Sequence, residues 1–268
     1  MVNAIITGAG GRMGGRIIAL ISAMKDIKLV GAVEKKGHAL VGKDVGEALG
    51  LGKLGVQIGD DLGACIDKGD VVIDFTSHAV SLEHLEMAAK KKRAIVIGST
   101  GFTAGEMKRA AVLAKITRCV LAPNMSVGVN VMFKVLGDVA RILGDDYDVE
   151  IVEAHHHLKK DAPSGTAMKM AQIIAQALNR DLDREAVYTR KGMIGERTKA
   201  EIGIQTLRAG DIVGEHNVMF GAVGERLEFI HRAHSRDNFA KGAIRAAKWI
   251  VTQPNGLYDM QDVLGLKA

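Results

Sequence analysis

Residues 3–14 read NAIITGAGGRMG, an apolar β-branched run that passes straight into glycines. The run predicts a strand, and the periodicity from Arg12 onward predicts a helix. A glycine-rich turn between a strand and a helix is where backbone N–H groups and a helix N-terminus can hold a pyrophosphate. The glycines fall at Gly8, Gly11 and Gly14, because Met13 occupies the third glycine position of a GxGxxG pattern. Glycine spacing alone is a weak signal; the strand before and the helix after give it weight.

The surrounding chain repeats the pattern. Apolar runs at 3–7, 27–34, 71–75, 94–98 and 119–123 predict strands, with helical periodicity at 12–24, 79–91 and 103–115. Strands that are apolar on both faces, separated by helices, imply βαβ units. The predicted class is α/β, a doubly wound parallel sheet of the Rossmann type. After a helix near 129–143 the order changes. A strand at 148–157 and a helix at 164–178 precede three closely spaced strands at 201–207, 213–220 and 225–231. These predict a second, α+β domain with a mixed or antiparallel sheet. Apolar positions in its last three strands (Ile202, Ile204, Val213, Val218, Leu227 and Phe229) exceed what one small domain is expected to cover. The predicted division is a dinucleotide-binding domain, 1–128, completed by 238–268, and a substrate-binding and oligomerisation domain, 129–237.

Composition narrows the function. The 268 residues carry a net charge of +5 but only 4% aromatics, which disfavours nucleic acid; no apolar run reaches membrane-spanning length. The first residues lack the pattern of a secretory signal, and Cys65 and Cys119 have no metal spacing, so a cytoplasmic location with reduced thiols is expected.

In the first domain, Gly8, Ala9, Gly10, Gly11, Arg12 and Met13 form the candidate phosphate loop. Glu34 closes the second strand, where an acid can accept from ribose hydroxyls, and Lys35 follows it as a candidate partner for a 2′-phosphate. Gly98, Ser99 and Thr100 follow the fourth predicted strand. Ala122, Pro123, Asn124 and Met125 follow the fifth, again at carboxyl ends where such sheets place ligands. NADH or NADPH is the expected cofactor.

The second domain carries EAHHHLKKDAPSGTA, residues 153–167. In a strand, His155 and His157 share a face and His156 takes the other, so three adjacent histidines do not converge on zinc, and no metal is expected. Ser164, Gly165 and Thr166 open a helix, offering backbone N–H groups and hydroxyls to a carboxylate just downstream of His155, His156 and Lys159. Without a ligand these three cations are expected to disfavour each other's charged forms. The chemistry points to a small dicarboxylate beside a nicotinamide.

This stretch resembles the signature of the dihydrodipicolinate reductase family. The resemblance extends through GAGGRMG (8–14), VVIDFTS (71–77), VIGSTGF (96–102), NMSVGVN (124–130), RAGDIVGEH (208–216) and LYDMQDVL (257–264). It implies NAD(P)H-dependent reduction of 4-hydroxy-tetrahydrodipicolinate with loss of water, in the diaminopimelate route to lysine. By the same resemblance His155 and Lys159 are the catalytic pair, His156, Ser164, Gly165 and Thr166 are substrate contacts, and the assembly is a homotetramer. Ser77 and Lys35 stand where arginines are common in that pattern, which weakens phosphate gripping and argues for use of both cofactors. Met125 stands where an aromatic is common. Two rival readings are a related dehydrogenase acting on an amino or semialdehyde acid, and a noncatalytic NAD(P) sensor. A sensor has no use for His155, Lys159 and the Ser-Gly-Thr turn.

Overall fold

The structure, a computed structural model, describes residues 1–267. The chain begins with β1 (Val2–Thr7), α1 (Arg12–Ser22), β2 (Ile27–Val33), α2 (Val45–Ala48), β3 (Ile58–Gly59), β4 (Val71–Asp74), α3 (His78–Lys90), β5 (Ala94–Ile97), α4 (Ala104–Leu113) and β6 (Arg118–Leu121). Then come α5 (Val127–Leu143), β7 (Asp148–His155), α6 (Gly165–Ala177), α7 (Leu182–Glu185), β8 (Ala186–Val187), β9 (Ile202–Arg208), β10 (Gly214–Ala222) and β11 (Glu225–Ala233). It closes with α8 (Asp237–Ile250), β12 (Gly256–Tyr258) and α9 (Met260–Val263). Two compact units result: Met1–Val127 with Arg236–Ala268, and Gly128–Ser235.

In the first unit seven strands run parallel in the order β12-β6-β5-β4-β1-β2-β3. Alternation along β1 sets its two faces. Ala4 and Ile6 pack with Ile17, Ile18 and Ile21 of α1 and the alanines of α8, while Ile5 packs with Leu82 and Leu85 of α3 and Ala110 of α4. Helices therefore cover both faces, which is why the strands are apolar throughout. Arg16 of α1 donates two hydrogen bonds of 2.7 Å to Asp237, joining the first helix to the returning one.

The second unit holds a mixed sheet, β11-β10-β7-β9-β8, in which β7 and β9 are parallel and β10 is antiparallel to both neighbours. Its covered face (Val149, Ile151, Ile202, Ile204, Val218, Phe220) packs against α5 and α6. This corrects the expectation of uncovered strands: Ile202, Ile204 and Val218 are buried by the unit's own helices. Of the expected positions Leu227 is exposed, and Leu207 and Ile230 add further exposed apolar groups.

Most predicted elements end within two residues of their observed limits. The strand predicted to reach residue 157 stops at His155, so the alternation argument does not extend to His156 and His157. The strands that went unpredicted, β3, β8 and β12, have two, two and three residues, and the unpredicted helices α2, α7 and α9 have four each, too short for periodicity to register. No helix among the described residues is long and apolar enough to cross a membrane.

Candidate active site

The β1–α1 turn depends on its glycines. Gly8 adopts φ +70°, a left-handed conformation that side chains resist, and a Cβ on Gly14 would lie 2.1 Å from the Gly8 carbonyl oxygen. Gly14 thus takes the close-packing role of the pattern's third glycine, one position beyond Met13. Gly11 caps α1 with no side-chain hydrogen bond, and no acid occupies the first turn. The opening N–H groups of α1 therefore suit an anion, and the turn fits a nucleotide pyrophosphate.

Gly8, Gly11, Glu34 and Lys35 line a cavity of about 600 Å³. The Glu34 carboxylate accepts from the Gly10 N–H at 2.8 Å and the Lys35 N–H at 3.1 Å, which fixes it at the end of β2. Of the other candidates, Gly98 approaches the Phe75 ring so closely that a Cβ would sit 2.1 Å from it. Ser99 is buried beside Ser81, their hydroxyls 2.8 Å apart, and Thr100 is exposed. Ala9, Ala122 and Met125 have buried side chains, so their contact with a ligand would run through the backbone. Asn124 accepts from the Ser126 N–H at 2.9 Å.

The cavity also exposes what the sequence reading passed over. Asp60, Asp61, Glu83 and His84 share its wall. Behind it lies fully buried Asp74, which accepts from the hydroxyls of Thr7 (2.9 Å), Thr76 (2.7 Å) and Ser81 (2.7 Å) and from His84 Nδ1 (2.5 Å). Burial pushes this carboxyl's pKa up, but His84 and the hydroxyls outweigh it and hold the group below the usual carboxylate range.

In the second unit, strand register assembles the surroundings of the histidine stretch. Glu153 of β7 lies opposite Thr206 of β9 on one side and His216 of β10 on the other, and His155 lies opposite Arg208. The fully buried Glu153 carboxylate accepts from His155 Nδ1 at 2.6 Å, the Ser164 N–H at 2.9 Å, and two Arg208 nitrogens at 2.9 Å each. Thr206 adds a hydroxyl at 3.2 Å. Burial would raise the Glu153 pKa; these donors together reverse that and bring it to about 2.

Lys159 donates to both Asp161 oxygens, at 2.9 and 2.8 Å. The expectation of mutually repelling cations is therefore corrected: His155 and Lys159 each have a carboxylate. His157 donates to the Gly210 carbonyl at 2.8 Å, and the His156 backbone N–H to Ile212 at 2.7 Å. Ser164 caps α6, accepting from the Ala167 N–H, and its hydroxyl lies 3.1 Å from His216 Nε2. His216 is buried, edge-on to His155 at 5.3 Å, and burial followed by the neighbouring His155 charge brings its pKa down to about 3. It is neutral at pH 7. Gly165 and Thr166 form the first turn of α6. No group of three or more His, Cys, Asp or Glu among the described residues is placed to hold a metal ion.

A glycine turn suited to phosphate on a doubly wound sheet, with a histidine–carboxylate pair on a second sheet and a lysine in the loop that follows, defines a nicotinamide-dependent oxidoreductase of the two-domain kind. Residues 2–125 match the family description "Dihydrodipicolinate reductase, N-terminus", and residues 128–264 match the corresponding C-terminus. The chain belongs to the dihydrodipicolinate reductase family. It is 68% identical, over all of both chains, to the 4-hydroxy-tetrahydrodipicolinate reductase of Syntrophus aciditrophicus (strain SB), and 57% identical to that of Geobacter sulfurreducens (strain ATCC 51573 / DSM 12127 / PCA), again over all of both chains. A solved structure, "Dipicolinate bound Dihydrodipicolinate reductase from Paenisporosarcina sp. TG-14", matches at 26% identity with a TM-score of 0.76, covering 98% of each chain. GenD2 from gentamicin A biosynthesis, at 14% identity and a TM-score of 0.61 over 99% of this chain and 90% of its own, shares the fold alone. The chain is thus an NAD(P)H-dependent reductase of the diaminopimelate route to lysine, whose reaction is the reduction of 4-hydroxy-tetrahydrodipicolinate with loss of water.

Proposed function

We propose that His155 and Lys159 carry this reaction, with Lys159 as the proton donor, and that the first unit is the dinucleotide-binding domain and the second the substrate-binding one. The observation that carries the reading is Glu153 Oε2 at 2.6 Å from His155 Nδ1, which leaves Nε2 as the working nitrogen of a held ring. A nicotinamide cofactor held by the glycine turn of the first unit would supply the hydride that the reduction needs. The substrate hydroxyl leaves as water, so the balance requires one proton from the protein side. Lys159 has that proton, and its pairing with Asp161 can shift when a substrate carboxylate arrives. His156 and the Ser164–Gly165–Thr166 turn receive the dicarboxylate, the backbone N–H groups of the α6 start facing a negative charge. Dipicolinate, the ligand named for the Paenisporosarcina enzyme, is a dicarboxylate of this type.

Gly8 to Met13, with Glu34, Lys35, the Gly98–Thr100 turn and the Ala122–Met125 turn, hold the nucleotide. Three further acids in the cavity (Asp60, Asp61 and Glu83) oppose the extra charge of a 2′-phosphate, while Lys35 attracts it as a point charge. Purified protein mixed with enzymatically generated substrate should consume both cofactors, followed by loss of the reduced-nicotinamide absorbance. Expected kcat/KM values lie within about two orders of magnitude, about 2.7 kcal/mol, with NADH at least equal to NADPH. A thousandfold preference either way would show that these charges have been misjudged. Tight nucleotide binding without turnover would favour the sensor reading.

The enzyme works as a cytoplasmic homotetramer in this reading, and the second unit carries the interface. The sheet face opposite α5 and α6 bears exposed Leu207 and Ile230, and on it Gln205 Nε2 and Asn217 Oδ1 are buried without hydrogen-bond partners among the described residues. Such groups suit a surface completed by another copy in closed symmetry. Light scattering should return about four times the 28.6 kDa chain mass, and a monomer at micromolar concentration would rule this out.

A further inference from the structure

Glu153 opens the histidine stretch and holds the His155 ring, and its bonds reach well beyond that one contact. It is two residues before His155 on β7, so both side chains emerge on one face. Its carboxylate is fully buried and gathers donors from three elements: His155 at the end of β7, Ser164 at the start of α6, and Thr206 and Arg208 on β9. A carboxylate only accepts. The His155 nitrogen facing it at 2.6 Å must therefore be the protonated one, which makes Nε2 the nitrogen that exchanges a proton or meets the substrate.

The surroundings keep that nitrogen accessible. A Cβ on Gly214 would stand 3.0 Å from His155 Nε2, so glycine there leaves room at the working atom. Arg208 extends the anchor. Besides gripping Glu153 it donates at 2.6 Å to the backbone carbonyl of Asp161, whose carboxylate holds Lys159. One buried acid thus orients His155 directly and, through Arg208 and Asp161, steadies the segment that presents Lys159.

We infer that Glu153 is a positioning residue for this active site, fixing His155 in its Nδ1–H tautomer and tying the strand end, the α6 start and the Lys159 segment into one arrangement. The inference rests on the catalytic reading of His155 given above. An acid behind a catalytic imidazole does this in other enzymes, and its loss matters through the wrong tautomer rather than through lost contact with substrate.

A buried ion pair that merely stabilises the sheet would predict something different, and two readouts separate the cases. The first is the tautomer of His155 in 15N-histidine-labelled protein at alkaline pH, read from two-bond nitrogen–proton correlations. The second is the division of the kinetic loss between kcat and KM. Glu153→Gln should give a mixed or Nε2–H ring and lower kcat by about 10²-fold, with substrate KM and NADH Kd within a few-fold of wild type. Should the glutamine variant fail to fold, Glu153→Asp keeps the charge beside Arg208 but draws it back from Nδ1. It should loosen the tautomer and cost about tenfold in kcat.

An unchanged Nδ1–H tautomer in a folded variant, or a kcat within about threefold of wild type, would overturn the inference. If the wild-type protein failed to turn over the substrate, the catalytic reading would fall, while the tautomer measurement would still decide whether Glu153 sets the ring.

Discussion

Lys159→Ala and His155→Ala are each expected to lower kcat by about 10²- to 10⁴-fold, the usual cost of removing a general acid or base. The two losses have different origins. Lys159→Ala removes the proton source and a cation for the substrate carboxylates, so substrate KM should rise as well. It also strands the exposed Asp161 carboxylate, which water can solvate, so folding should not suffer. His155→Ala leaves buried Glu153 without one donor, but Arg208, Ser164 and Thr206 still satisfy it. NADH Kd should stay near wild type in both, because the nucleotide turn belongs to the other unit. His157→Ala should change little: the residue is exposed, and its ring bonds the Gly210 carbonyl, which the His157 backbone N–H also reaches. Near-normal kcat in both Lys159→Ala and His155→Ala would remove this segment from the chemistry. A large loss in His157→Ala, restored by added zinc, would replace the proposal with a metal site.

The division between what the sequence revealed and what it hid follows the range of the interactions. Local patterns were readable. The β1–α1 turn, the apolar strands of the parallel sheet and the α6 cap at Ser164 are each set by residues a few positions apart. Most members of the second site also fall in two short stretches, Glu153, His155 and Ser164 within 153–167 and Arg208, Gly214 and His216 within 208–216, with Thr206 outside both. Their relation was not readable, because it depends on the register of β7 with β9 and β10 across about fifty residues of intervening chain. Reading the cations without their acids produced the expectation of mutual repulsion. Lys159–Asp161 is an i,i+2 pair in a loop, where spacing carries no rule about facing.

The nucleotide cavity shows the same limit from another side. Glu34 and Lys35 were visible as the charged end of a strand, but Asp60 and Asp61 follow a two-residue strand that no periodicity marks. The Asp74–His84 pair joins the end of β4 to the second turn of α3. Met125 stands where an aromatic is common in the family pattern, and here the residue is 1% exposed, part of the core that includes residues of α8.

Arg208→Met tests how much the buried acid depends on its cation. In the wild-type fold Glu153 is shifted from its ordinary 4.5 to about 2, equivalent to about 3 kcal/mol of preference for the ionised, bonded form. A lowered folded pKa stabilises the protein above the unfolded value, and the benefit is lost as pH falls through the folded value. Its window here therefore runs from about pH 4.5 down to about pH 2. Removing Arg208, whose side chain is 19% exposed, leaves a fully buried carboxylate with only His155, Thr206 and a backbone N–H. The expected cost at pH 7 is about 3 kcal/mol, at the lower end for breaking a buried pair because those donors remain. The variant's Glu153 should take up a proton at higher pH than the wild type's. The stability gap should accordingly narrow as pH falls from 4.5 towards 2, where the wild type loses its own advantage. Hydrogen exchange at the Ile151 and Val152 amides of β7 reads this locally, without requiring the first unit to unfold. Adding Glu153→Leu to Arg208→Met should recover much of the loss, since an apolar pair replaces an uncompensated charge. A gap below about 1 kcal/mol at pH 7, or one that does not change on acidification, would mean that Glu153 is held ionised by its other donors and that Arg208 serves only to reach the Asp161 carbonyl.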